Sequence, residues 1–518
     1  MSPNRRRNPL ILGTLLLTAS ALIARIAGFF YRIFLSHKIS TEAMGLYQLV
    51  YPMYSICFSL CCGSIQTALS RFIAAEYGKK REKNSRRYLI CGLGLALSLS
   101  LGAAFCMYHF SPFLAESVLL DSRCAGLLKL LSFSVPFSAV HACICGYYYG
   151  RSKAQIPAAS QIAEQFVRIV TIVIVIQWAE ASGKAVTAAC AVLGHLAGEA
   201  GALSSSLLSF MLHTRRQKRA RIASAARQTP AACPLPYSTV VRNLIFMAFP
   251  LMANRLILSI LQSAESIMIP GRLQQFGMSA QDALSLYGVL TGMALPFIMF
   301  PTAITNSLSV MLLPHIAKAQ SLKSYESISY SSRMSIRYGL YIGILFAGIF
   351  LKFGSAIGPA VFGNETAGSF LTILAWLCPF LYVSGTLNSI INGLGYTKTT
   401  FFHMVLSLSV RLFFVFFLIP EMGIHAYLYG LLSSELVLTL CHLSFLHRKI
   451  RLSFSPVYEL LRPVFGALLG AGVSLAWESL PFCGAFPALL GLAVSGSLFC
   501  AVFLLFLFVT QKEEDIPV

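Results

Sequence analysis

Two arginines, Arg168 and Arg411, stand 243 residues apart inside long apolar runs, and the same offset carries Pro136-Phe137 onto Pro379-Phe380 and Gly150 onto Gly393. An offset of 240 likewise carries Leu46-Tyr47 onto Leu286-Tyr287. The halves match at several separate places, so the chain reads as a duplicated multi-helix unit. In membrane proteins built this way, a ligand site between the halves near mid-membrane is the expectation.

The runs themselves name the solvent. Hydrophobic residues make up 56% of the chain and charged residues 11%, whereas a soluble domain is about one quarter charged. Fourteen apolar stretches are legible, at 10–34, 43–70, 88–110, 125–149, 157–179, 186–212, 243–269, 282–313, 335–352, 367–392, 400–420, 424–446, 461–478 and 485–510. Most exceed the ~20 residues that cross the hydrocarbon core. The fold class is therefore an all-α polytopic membrane protein of about 14 transmembrane helices.

A formal charge of +21 would suit a nucleic-acid binder, but the positions of the cations point elsewhere. Placing the N-terminus in the cytoplasm puts Arg5 to Arg7, the Arg71–Arg87 loop, Arg151, Lys153, the Arg215–Arg242 loop, Lys318–Arg337, Lys398, Arg448–Arg462 and Lys512 inside. The opposite loops hold Lys38, Arg123, Lys184, Arg272 and Lys352. That asymmetry orients the chain with both termini inside and brings basic loops to anionic headgroups. No nucleic-acid partner is expected.

Arg5 to Arg7 followed by Leu10–Leu17 resembles a signal peptide, but the apolar run continues to Leu35, so the segment is read as a retained first helix. The fourteen cysteines are scattered through the apolar runs, and neither Cys61-Cys62 nor Cys143-Ile144-Cys145 has a metal or redox spacing. The sequence holds no GxSxG, HExxH, phosphate-loop or paired-carboxylate pattern, so no catalytic residue, metal or cofactor is assigned. The outer loops are short, which argues against an external polymerase.

Polar residues inside the apolar runs carry the chemistry, because ionisable groups at mid-membrane are expensive and face a protein interior or a cavity. In the first helix Thr14, Thr18, Arg25 and Arg32 share one face at 100° per residue. The seventh repeats the device with Arg255, Ser259, Gln262 and Ser266, and Glu265 beside them. The fifth carries Gln161, Glu164, Gln165 and Arg168 at helical spacing.

Arg168 and Glu199 lie at similar distances from the turn joining helices five and six, and Arg411 and Glu435 do so in the second half. Two structural ion pairs are expected there, with Glu164 a further neighbour for Arg168 at i−4. Arg25 and Arg255 have no carboxylate at matching depth in their own or adjoining helices, so they are assigned to a cavity. His141, His195, His403 and His442 are read as helix-interface residues. Tyr47, Tyr51, Tyr54 and Tyr147–Tyr149 fit either a sugar site or interfacial aromatics.

These residues resemble a family. Ala24-Arg25-Ile26-Ala27-Gly28-Phe29-Phe30-Tyr31-Arg32, Gly45-Leu46-Tyr47-Gln48, Gly146-Tyr147-Tyr148-Tyr149-Gly150, and Pro157 with Ser160-Gln161, Glu164-Gln165 and Arg168 look like the stage V sporulation protein B-like branch of the polysaccharide transporter family. That branch belongs to the multidrug, oligosaccharidyl-lipid and polysaccharide exporter superfamily and is related to the lipid II flippases. The resemblance implies two six-helix lobes that open alternately, and an outlying helix pair that accommodates a lipid tail. Lipid II flippases carry further arginines in helix two and an Arg-x-x-Glu in helix eight, whereas Cys57–Cys62 and Leu295–Met299 here have none, so the cargo stays open.

The expected domains are 1–238, the first lobe with its basic linker; 239–452, the second lobe, parallel to the first; and 453–518, the last two helices and a short cytoplasmic tail. The expected function is export of a lipid-linked saccharide, an undecaprenyl-diphosphate sugar or peptidoglycan precursor, across a bacterial cytoplasmic membrane. The substrate-binding candidates are Arg25, Arg32, Arg255, Gln161, Glu164, Gln165, Arg168, Gln262 and Glu265. H+, Na+ or the membrane potential are the candidate energy sources, membrane lipids are partners, and a monomer is expected. The alternatives are a cation-coupled drug antiporter and a non-transport membrane scaffold for a cell-envelope synthase.

Overall fold

A computed structural model describes residues 9–79, 81–223, 235–450, 457–480 and 487–510. Arg5 to Arg7, the linker prolines Pro230 and Pro234, and Lys512 lie outside the described residues, as do the side chains of Thr14 and Thr18. Among the described residues the protein is helical throughout, with no strand. Thirteen helices are long and apolar enough to cross a bilayer, beginning with Ala19–Lys38 and ending with Ala488–Val509. The sixth of the expected spans, Ala188–Ala223, is not among them although it is 36 residues long. Gly194, His195, Gly198, Glu199, Gly201 and Ser204 to Ser206 dilute its apolar character. At ~1.5 Å per residue its length suffices to span, so the deficit is one of composition.

Contacts divide the chain into two units, Met1–Ile267 and Met268–Val518. The division falls inside helix seven, Tyr237–Gln275, whereas the sequence reading starts the second lobe at 239. Helix seven leans on helix two through a Ser59–Ser259 hydroxyl contact of 2.5 Å and through Ser263, which donates to the Pro52 carbonyl at 3.2 Å.

Each unit repeats the other's irregularities. Helix two, Thr41–Cys61, is capped by Ser40, which accepts from the Ala43 amide at 3.1 Å. Helix eight, opening with Ala280–Val289, is capped by Ser279, which accepts from the Asp282 amide at 3.1 Å. Such caps satisfy amides that have no partner in a first turn. Helix two breaks at Cys62 before continuing as Gly63–Gly78, and helix eight breaks at Phe300-Pro301 before continuing as Thr302–Ser321. Helix four is interrupted at Phe133, between Cys124–Ser132 and Ser134–Gly150, and helix ten tightens at Ala375–Leu377, between Glu365–Leu374 and Cys378–Gly393.

The repeat extends to close packing. A Cβ on Gly150 would meet the Ser70 carbonyl oxygen at 2.6 Å and Ile73 Cβ at 2.9 Å; one on Gly393 would meet the Leu313 carbonyl oxygen at 3.0 Å and Ile316 Cβ at 2.9 Å. All four residues are related by the offset of 243. Without a hydrophobic drive between helices in lipid, such backbone approach is a main source of association, and it needs residues with no side chain.

Candidate functional site

Inside the first unit, helix two with its continuation, helix four, helix five (Gln155–Ala181) and helix six enclose a cavity of ≈ 390 Å³. Helices five and six close tightly because Gly194, Gly198 and Gly201 face the fifth helix; a Cβ on Gly198 would lie 3.2 Å from Arg168 Cβ. Helix one (Pro9–Lys38) joins them through Gly28, where a Cβ would meet Gln165 Nε2 at 2.7 Å.

Gln161, Glu164 and Arg168 line this cavity, with Glu199 opposite. The expected Arg168–Glu199 contact is not formed. Arg168 Nη2 pairs instead with Glu164, and Nη1 donates to Gln165 Oε1 at 3.3 Å. Spacing of i to i+4 on one helix delivers Glu164 directly, whereas a partner across the hairpin depends on how the two helices rotate against each other. Glu199 is held by Tyr54 Oη at 3.0 Å, which in turn lies 2.7 Å from Ser138 Oγ. In the second unit Arg411 Nη2 stands 3.5 Å from Glu435 Oε1, and its Nε donates to Ser434 Oγ at 3.0 Å.

The hydroxyls around Glu199 have a definite hydrogen balance. Three links run from Glu199 to Tyr54, from Tyr54 to Ser138, and from Ser138 to the Ser134 carbonyl at 2.9 Å. Two hydroxyls supply two hydrogens, so a carboxylate leaves one link unfilled, whereas a carboxylic acid fills all three in sequence. His195 packs edge-on against Tyr54, ring centroids 4.8 Å apart, and its Nε2 is buried without a hydrogen-bond partner among the described residues. His141 Nε2 lies 3.0 Å from Ser160 Oγ. These two histidines, read from sequence as interface residues, are walls of the cavity, as are Tyr51, Tyr54 and Tyr149.

Charge decides what the cavity suits. It holds one guanidinium against two carboxylates, and the guanidinium is already paired. A diphosphate gains little there. A proton, a cation or the hydroxyls of a sugar fit the aromatic and amide lining better.

The remaining candidates lie elsewhere. Arg25 sits near the middle of helix one and Arg255 near the middle of helix seven, and both are exposed. Arg255 Nη2 donates to Thr67 Oγ1 at 3.3 Å, and no carboxylate lies within ion-pair distance of it among the described residues. Arg32 is half-buried, Gln262 exposed and Glu265 buried. None of these five lines the cavity of the first unit.

A sequence profile of the polysaccharide biosynthesis protein family matches residues 10–320. The chain belongs to that family. Within it, the chain is 25% identical over 432 residues to stage V sporulation protein B of Bacillus subtilis, covering 83% of this chain and 82% of that one. It is 23% identical over 422 residues to the lipid II flippase MurJ of the same organism, covering 78% and 76%. Among solved structures, the inward closed form of the lipid II flippase MurJ superposes with a TM-score of 0.71 at 14% identity, over 96% of this chain and 98% of that one. An inward-facing multidrug resistance transporter of the multidrug, oligosaccharidyl-lipid and polysaccharide superfamily gives 0.64 at 13%, over 83% and 98%. This member of the polysaccharide biosynthesis family is thus a multi-pass membrane protein with the fold of that superfamily, as its apolar stretches and its motif resemblance predicted.

Proposed function

We propose that the protein is a flippase that carries an undecaprenyl-diphosphate-linked saccharide, such as a peptidoglycan precursor, across a bacterial cytoplasmic membrane. The observation that carries the reading is Arg255. A guanidinium at the centre of a spanning helix, with only a hydroxyl to bond among the described residues, is a costly arrangement unless an anion visits it. Arg25 supplies a second mid-span cation, and the family membership and the likeness to lipid II flippases support a lipid-linked cargo. Guanidinium forks suit a diphosphate through charge-assisted, bidentate hydrogen bonds.

In this account the lobes 1–238 and 239–452 rock in alternating access, the terminal pair within 453–518 stays outside the repeat, and both termini face the cytoplasm. Arg25 and Arg255 take the phosphates. The cavity around Glu199 serves coupling, with a proton as the ion that its hydrogen balance favours. Two carboxylates against one arginine there also favour the second reading, a cation-coupled drug antiporter, which would bind organic cations and not lipid diphosphates.

A mass spectrum of lipids retained by the purified full-length protein distinguishes the two. A polyprenyl-diphosphate saccharide should co-purify. A spectrum without any polyprenyl species contradicts the flippase reading.

A further inference from the structure

Helix seven meets helix two along one polar seam. Arg255, Ser259 and Ser263 are spaced i, i+4 and i+8, so they share a face of helix seven. Ser263 reaches the Pro52 carbonyl, Ser259 reaches Ser59, and Arg255 Nη2 reaches Thr67 Oγ1 at 3.3 Å. Residue numbers fall along helix two as they rise along helix seven, so the helices run antiparallel, and contacts at successive turns of helix seven fix its register and rotation. Ser259 and Ser263 are 7% and 4% exposed, whereas Arg255 and Thr67 are open. The seam is dry at one end and presents a guanidinium at the other.

The Thr67 hydroxyl has one hydrogen, and it is donated to the Gly63 carbonyl one turn back, at 2.9 Å. Only lone pairs remain, so Oγ1 faces Arg255 solely as an acceptor. The β-branch limits the side chain to few rotamers, which holds that acceptor in place. Gly63 leaves the space beside it open: a Cβ there would lie 3.2 Å from Arg255 Cζ. The contact uses one of a guanidinium's five N–H groups, and so orients the fork without filling it.

We propose that Thr67 is a positioning residue for transport: its hydroxyl sets the orientation in which Arg255 meets the diphosphate of a lipid-linked saccharide. The inference rests on the reading of Arg255 as a head-group residue. A guanidinium held in place before the ligand arrives loses less freedom on binding, and a bidentate fork works only in the right plane. Thr67 acts through Arg255. It does not line the cavity around Glu199, although its neighbour Gln66 does, so the seam and that cavity lie on different faces of helix two and its continuation.

The test follows transfer of an undecaprenyl-diphosphate disaccharide precursor of peptidoglycan across vesicles reconstituted with the full chain, over a range of cargo concentrations. The proteins are the wild type, Thr67→Val, Thr67→Ser and Arg255→Gln, each checked as a single species by detergent chromatography. Thr67→Val keeps the shape and removes the acceptor. It should raise the apparent KM about fivefold, the effect of one ordinary hydrogen bond, with the maximal rate nearly unchanged. Thr67→Ser, which keeps the hydroxyl, should restore the wild-type KM. Should Thr67→Val not run as a single species, Thr67→Ala reads the same change. A wild-type KM in Thr67→Val, beside a loss in Arg255→Gln, overturns the role of Thr67 and leaves that of Arg255. A Thr67→Ser protein as impaired as Thr67→Val marks a packing methyl, and a fall in maximal rate at unchanged KM marks a part in helix movement; either overturns the inference. Wild-type transfer by Arg255→Gln, or no transfer by the wild type, overturns the reading of Arg255 and the inference with it.

Discussion

Arg255 lies across Gly63. A Cβ at position 63 would come within 1.9 Å of Arg255 Nη1, so the guanidinium rests where any other residue would place a side chain. Gly63→Ala should displace the arginine, a flexible group, and leave the helix intact. Transport should fall while the thermal midpoint changes little, and Gly63→Ala should add almost nothing to Arg255→Gln. Additive losses in the double variant would mean that the two residues act separately.

The pairing of Arg168 with Glu164 gives a second prediction. A double-mutant cycle on thermal stability between positions 164 and 168 should return a coupling of about 0.5 to 1.5 kcal/mol, the range for polar contacts in membranes. The cycle between 168 and 199 should return a smaller value. The reverse order would restore the pairing across the hairpin that depth alone suggests.

Glu199 and Tyr54 set a third. Glu199→Gln retains a hydrogen-bond partner for Tyr54 and should fold as the wild type, whereas Glu199→Ala removes one of the two partners of that buried hydroxyl, leaving Ser138, and should cost about 0.5 to 1.5 kcal/mol. If a proton on Glu199 drives transport, Glu199→Gln abolishes the response to a pH gradient with binding of cargo retained. A Glu199→Gln protein that keeps its pH-gradient response removes this residue from coupling.

Gly150 and Gly393 should behave alike because their neighbours are duplicated. Each Gly→Ala change forces a backbone or β-branched neighbour to move and should destabilise by about 1 to 3 kcal/mol. Thermal scans of both variants check this. A large loss at one and none at the other would show that the repeat is not symmetric in packing.

Topology is testable with single cysteines in a Cys-free background. Lys83→Cys and Lys323→Cys should react with an impermeant reagent only after permeabilisation, and Lys184→Cys in intact cells. Labelling of position 83 from outside reverses the orientation.

What sequence made legible was what one helix carries by itself. The repeat offset, the apolar lengths and the polar stripe of Gln161, Glu164, Gln165 and Arg168 are all periodic within a strand of text, and the helices follow them. The convergence of Tyr54, Ser138, His141, His195 and Glu199 comes from three different helices, and no spacing rule reports that. One signal was present: the sixth span is the least apolar of the set, and its Gly194, His195, Gly198 and Glu199 are the residues that face the fifth helix and the cavity. The partner of Arg168 was misjudged because matching depth across a turn ignores helix rotation, to which an i, i+4 neighbour is indifferent.

The central claim is that Arg25 and Arg255 hold an anionic head group during passage. The direct measurement is transfer of a lipid-diphosphate saccharide across reconstituted vesicles by the wild type, Arg25→Gln, Arg255→Gln and Arg255→Lys, each checked as a single species by detergent chromatography. The account predicts transfer by the wild type, partial transfer by Arg255→Lys, which keeps charge but loses the fork, and a loss of at least about tenfold in both glutamine variants. Wild-type rates from well-folded Arg25→Gln and Arg255→Gln proteins would contradict it.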